Sequence, residues 1–181
     1  RWPKVEKIEW TSPEGKNLEG LVYLPDDFDT TKSYPMLVYF YELYGDRKHF
    51  HYTPKPTASI IFPTEYTSAE YVVFIPDVRY DPGYPARGAY DCIMSGTDLV
   101  LEMYPNIDKE RLGLQGQSWG GYQTAQLITM TNRYKAAMAG APVSNMFSAY
   151  GGIRWSSGLN RQFQYERTQS RIGKTIWEAP E

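Results

Sequence analysis

The stretch RLGLQGQSWGGYQTAQLI, residues 111–128, narrows the possible folds more than any other part of the chain. It places Ser118 inside Gly-x-Ser-x-Gly, written here as Gly116, Gln117, Ser118, Trp119 and Gly120, with Gly121 directly after. A strand-like run leads in and a helical pattern leads out. A serine at such a bend is pushed out at the carboxyl end of a sheet, where the first N–H groups of the next helix face it. The bend is crowded, so the positions two before and two after the serine must be small, as Gly116 and Gly120 are. The plainer alternative is a glycine-rich turn with an incidental serine.

The flanking patterns predict an α/β protein. VEKIEW (5–10) alternates, and LEGLVYL (18–24) follows a Ser-Pro-Glu-Gly turn signal, which reads as an antiparallel hairpin. PMLVYFY (35–41) and YVVFIP (71–76) read as strands buried on both faces. TEYTSAE (64–70) suits a short helix with Thr64 as its N-cap. Residues 86–103 predict an amphipathic helix. Ala89, Ile93, Gly96, Val100 and Met103 form one face, and Asp91, Ser95, Asp98 and Glu102 the other. A helix is expected over 119–131, with Gly121, Ala125 and Ile128 in line, and a small-residue strand over KAAMAGA (135–141). Beyond residue 151 the pattern weakens. Strands alternating with helices argue for a parallel sheet covered on both faces.

The bulk numbers remove some function classes. A net charge of −2 leaves no electrostatic footprint for nucleic acid or anionic lipid. No apolar run approaches a membrane span. One cysteine, Cys92, excludes an internal disulfide framework. Compartment and oligomeric state are not legible. The opening RWPKVEKIEW and the closing IWEAPE read as cuts through a longer polypeptide.

A serine hydroxyl is a weak nucleophile and needs a proton acceptor and a site for the developing oxyanion. No histidine or aspartate follows Ser118, and the later carboxylates are Glu166, Glu178 and Glu181. His49 and His51, in DRKHFHY, offer a rival base or a two-imidazole metal site; a solvated or substrate-lining loop is the simpler reading. Asp77 and Arg79, past the end of YVVFIP, suggest an ion pair tethering a loop. Trp119, Tyr122, Met146, Tyr150 and Trp155 are candidates for an apolar pocket, most of them as packing.

The run DKERLGLQGQSWGGYQTAQLI, followed by YKAAMAGAPVSN, resembles the catalytic domain of the prolyl oligopeptidase family of serine peptidases, which includes dipeptidyl and acylaminoacyl peptidases. Asp108 and Arg111 stand before the elbow strand, and Ala141, Pro142 and Val143 after it, as in that family. The similarity extends to YPMLVYFY and YVVFIPDVR, and the tail SAYGGIRWSSGLNRQFQYERTQSRIG resembles bacterial members.

The resemblance implies an α/β-hydrolase fold: a mostly parallel central sheet with helices on both faces, incomplete at the C-terminal side. Residues 1–181 would be a partial catalytic domain, with a β-propeller upstream in the parent chain. It implies Ser118 as nucleophile, with the Trp119 N–H and the Tyr41 hydroxyl as oxyanion donors. The acid and the histidine would lie beyond Glu181, so the 181 residues alone would have little activity. The expected partner is a peptide substrate, not nucleic acid or membrane, and no metal or cofactor is implied. An esterase or other acyl hydrolase of the same fold, or a non-catalytic binding domain, stays open.

Overall fold

The computed structural model describes residues 2–57 and 59–180. Among these, six strands form a sheet in the order β1-β2-β4-β3-β5-β6. They are β1 (Lys4–Thr11), β2 (Asn17–Leu24), β3 (Tyr34–Phe40), β4 (Val72–Pro76), β5 (Ile107–Gln117) and β6 (Ala136–Gly140). The hairpin β1-β2 is antiparallel and joins β4 antiparallel, whereas β4, β3, β5 and β6 run parallel.

Period-two alternation fills both faces. On one, Val22 and Leu24, Met36, Val38 and Phe40, and Val72 and Phe74 pack with Ala89, Ile93, Val100 and Leu127 of the helices. On the other, Leu21, Tyr23, Tyr39, Val73 and Ile75 meet Ile61, with Tyr66 against them. The helices are α1 (Pro63–Ser68), α2 (Pro85–Met103), α3 (Trp119–Met130) and the short α4 (Met146–Tyr150). Helices therefore cover both faces of a largely parallel sheet, the arrangement read from the sequence.

Details depart from that reading. Phe62, not Thr64, is the N-cap of α1, because Pro63 takes the first helical position, where its missing N–H costs nothing. On α2, Met103 is exposed in the last turn and Asp91 is buried, its charge met by Arg87 one turn earlier. On α3 the buried line runs through Gly120, Gly121, Gln123, Thr124 and Leu127, and Ile128 faces out. The chain after α4 carries a π-helical turn, Gln164–Thr168, that no periodicity announced.

Candidate active site

β3 and β5 are neighbours in parallel register, with Phe40 opposite Gly116. Their carboxyl ends therefore deliver Tyr41 and Ser118 to the same edge of the sheet. Ser118 sits between β5 and α3 at φ 59° and ψ −112°, left-handed backbone that costs a non-glycine residue about 1–3 kcal/mol. Its N–H is fixed to the Gly140 carbonyl at 2.8 Å, and its carbonyl accepts from Tyr122 at 3.0 Å. The side chain is half-buried, and its hydroxyl makes no capping bond to the helix.

The glycines are explained by close approach. A Cβ on Gly116 would fall on the Gly120 carbonyl, and one on Gly120 would stand 2.6 Å from the Phe40 carbonyl oxygen. Trp119 is the first residue of α3, so its main-chain N–H has no intrahelical acceptor. Its indole is fully buried, stacked on Tyr122 with ring centroids 4.3 Å apart. It donates from Nε1 to the Tyr80 hydroxyl at 3.0 Å. Burial pushes the Tyr80 phenol up to about 12, with the indole bond acting against the shift.

Tyr41 packs its ring toward the elbow: its Cδ2 lies 3.6 Å from where a Cβ on Gly120 would stand. Its hydroxyl accepts from the Gln169 amide at 2.7 Å. The wholly buried Gln123 amide satisfies its neighbours in one orientation, nitrogen to the Tyr41 carbonyl at 3.3 Å and oxygen to Trp119 Nε1 at 3.2 Å. The three residues singled out in the sequence, Ser118, Trp119 and Tyr41, thus meet at one place.

The other candidates separate from it. His51 packs tilted against Trp2 with ring centroids 4.5 Å apart, and His49 is exposed beside Asp46, Arg47 and Phe50. Neither imidazole is hydrogen-bonded to Ser118, and among the described residues no three His, Cys, Asp or Glu side chains gather as a metal site. Asp77 does tether a loop, but not through Arg79. Its Oδ1 accepts from the N–H groups of Tyr44, at 2.5 Å, and Gly45, at 2.9 Å. Burial raises the Asp77 carboxyl above the ordinary range, while those two bonds pull the other way.

Of the aromatic and apolar candidates, Tyr122 and Met146 line a cavity of about 580 Å³ with Pro85, Phe147 and Ile172. Trp119 and Tyr150 are buried in packing, and Trp155 is 98% exposed. The sequence reading missed Tyr80 and Gln169, which no motif marks. Tyr80 donates to the Gln169 carbonyl at 3.0 Å and so joins the elbow helix to the segment after α4.

A serine on a strained strand-to-helix elbow, at the carboxyl edge of a parallel sheet with helices on both faces, defines an α/β-hydrolase. The Prolyl oligopeptidase family (Peptidase_S9) matches residues 63–170, more than half of the chain, and the chain belongs to that family. It is 29% identical over 154 residues to the uncharacterized peptidase YuxL of Bacillus subtilis, covering 81% of this chain and 23% of that one. It is also 29% identical over 160 residues to human dipeptidyl peptidase 8, covering 78% of this chain and 17% of that protein. Among solved structures, the acylaminoacyl peptidase of Pyrococcus horikoshii superposes with a TM-score of 0.72 at 17% identity, over 98% of this chain and 28% of that one. The chain thus spans about a fifth of the length of the curated relatives it matches. Its relatives are peptidases, and hydrolysis is the chemistry of the family.

Proposed function

We propose that this chain carries the nucleophile and the oxyanion hole of a serine peptidase acting on short peptides. Ser118 Oγ attacks the scissile carbonyl carbon as its proton passes to a histidine. The carbonyl oxygen becomes an oxyanion, met by the Trp119 N–H and the Tyr41 hydroxyl. Collapse breaks the C–N bond, and the imidazolium returns the proton to the leaving amine. Water then attacks the acyl-enzyme on Ser118 and frees the acid.

The histidine and its acid partner belong, in this reading, to residues beyond Glu181, and a β-propeller precedes the domain in the same polypeptide. The modest share of each relative that the chain spans supports both. One observation carries the proposal: the half-buried Ser118, with φ at 59°, stands on the elbow beside Tyr41 with its hydroxyl uncommitted to the helix.

The test is covalent labelling of the full-length enzyme with a fluorophosphonate. Labelling is expected, abolished by Ser118→Ala, with peptide turnover down by about 10³-fold or more. Undiminished labelling in Ser118→Ala would sink the assignment. Turnover of esters but not of peptides would move the substrate class to the esterase alternative.

A further inference from the structure

Four side chains form a continuous line into the candidate oxyanion hole. Arg154 Nη2 donates to Gln164 Oε1 at 3.0 Å. Gln164 Nε2 donates to Gln169 Oε1 at 2.6 Å. Gln169 Nε2 donates to the Tyr41 hydroxyl at 2.7 Å. We infer that Gln164 and Gln169, oriented by Arg154, are positioning residues that aim the Tyr41 hydroxyl as an oxyanion donor. The inference rests on the role proposed above for Tyr41.

The argument turns on the direction of each bond. An amide can be read either way round, but a guanidinium donates and never accepts. Arg154 therefore forces the Gln164 oxygen toward itself and the Gln164 nitrogen toward Gln169. That forces the Gln169 oxygen toward Gln164 and its nitrogen toward Tyr41. The phenol is left as acceptor in its bond with the protein, so its own proton remains free to donate. Each bond in such a chain polarises the next, and a cation at the head strengthens the O–H at the end as a donor.

The backbone is shaped for this line. In an α-helix, side chains five apart do not meet, because neighbours lie at three and four. Gln164 and Gln169 are brought together by the π-helical turn between them, with the Gln169 N–H on the Gln164 carbonyl at 3.0 Å. Such turns recur at functional sites. Gln164 is buried, 9% exposed, so its amide is committed to these partners rather than to water. The Gln169 carbonyl accepts from Tyr80, which accepts from the Trp119 indole. One residue, Gln169, is thereby tied through Tyr80 to the residue bearing the first oxyanion donor, and directly to the second.

The test is a double-mutant cycle in the full-length enzyme with a peptide p-nitroanilide, each rate divided by the sites titrated with a fluorophosphonate so that misfolded protein is not counted. Gln169→Ala is expected to lower kcat about tenfold with KM within about twofold, as misaligned groups do. In a Tyr41→Phe background the same change is expected to lower kcat no further. Arg154→Met, which keeps the apolar stem, is expected to cost about two- to threefold in kcat.

Gln169→Glu supplies a readout that packing alone does not move. Its carboxylate captures the phenol proton, so the ratio of variant to wild-type kcat should climb as pH falls through the carboxylate range. Equal losses from Gln169→Ala with and without the Tyr41 hydroxyl, or a raised KM at unchanged kcat, would overturn the inference. Unchanged kcat in Tyr41→Phe itself would overturn Tyr41's role and this inference together, while Ser118 labelling reports separately on the nucleophile.

Discussion

The elbow at residues 116–121 and the segment at 151–180 approach the same edge of the sheet, where the proposed site lies, and are held by different means. At the elbow, backbone meets backbone: Gly116 lies against the Gly120 carbonyl, and Gly121 against the Gly140 carbonyl. In the later segment, a main-chain bond, Gly83 N–H to the Arg171 carbonyl at 2.7 Å, is joined by side-chain contacts: Arg154 to Gln164, Gln169 to Tyr41, Tyr150 to Glu166 and Arg171 near Glu42. Trp155, Leu159, Phe163 and Trp177 are all exposed there. Contacts between main chains fix the Ser118 bend in one place, because no rotamer can relieve them. Contacts between side chains can be retuned one at a time, which suits the positioning role proposed for them.

The sharpest way to break this contrast is to add the same methyl group to a glycine in each region. Gly116→Ala drives a Cβ into the Gly120 main chain, and a loss of about 3 kcal/mol or more of unfolding free energy is expected by denaturant melt. Gly158→Ala, in the later segment, meets no atom within 4 Å and strains only a φ of +69°, so about 1 kcal/mol is expected. Equal costs at the two sites would remove the distinction.

Between these in size comes the residue that bridges the regions. Tyr80→Phe takes the shared hydroxyl from the Gln169 carbonyl and from Trp119 Nε1–H, which keeps only the Gln123 oxygen at 3.2 Å. A cost of about 1–3 kcal/mol follows, again by denaturant melt. A loss of kcat at saturating substrate should accompany it if the bridge also aligns the site.

The smallest effect lies at the loop beside Tyr41 and depends on pH. Burial raises the folded carboxyl of Asp77 above its unfolded value, so ionising it weighs against the folded state. That penalty is absent below the unfolded pKa of about 4 and fully present above the raised folded one. Both loop N–H groups bond Oδ1, so Asp77→Asn keeps an acceptor for each. Its stability relative to wild type should therefore rise as pH climbs above about 4, until the folded carboxyl has ionised. A gap that stays flat or narrows over that range would mean that the charged hydrogen bonds outweigh burial.

Much of the fold was legible because both faces of the sheet are buried and the strands are short apolar runs between turns. The elbow was legible because its constraint is local: each glycine answers to an atom within a few residues, or on the neighbouring strand. Met103 and Asp91 were misread on α2 because periodicity gives a helix a face, while the length of sheet beneath it decides where that face ends. The π-helical turn has no signature in apolar spacing, since i→i+5 bonding follows neither helical nor strand period.

The sequence by itself determined that Ser118 stands on a glycine-flanked bend between strand and helix, and that Tyr41 stands at the end of an apolar strand. Those facts follow from residue size, backbone freedom and periodicity, which act over a few positions. Only the tertiary structure decided that Gln169, 128 residues along the chain from Tyr41, donates to its hydroxyl, and that Tyr80 links that glutamine to Trp119. Polar side chains carry no period, and their partners are chosen by which donors and acceptors the packed sheet and its helices bring within about 3 Å.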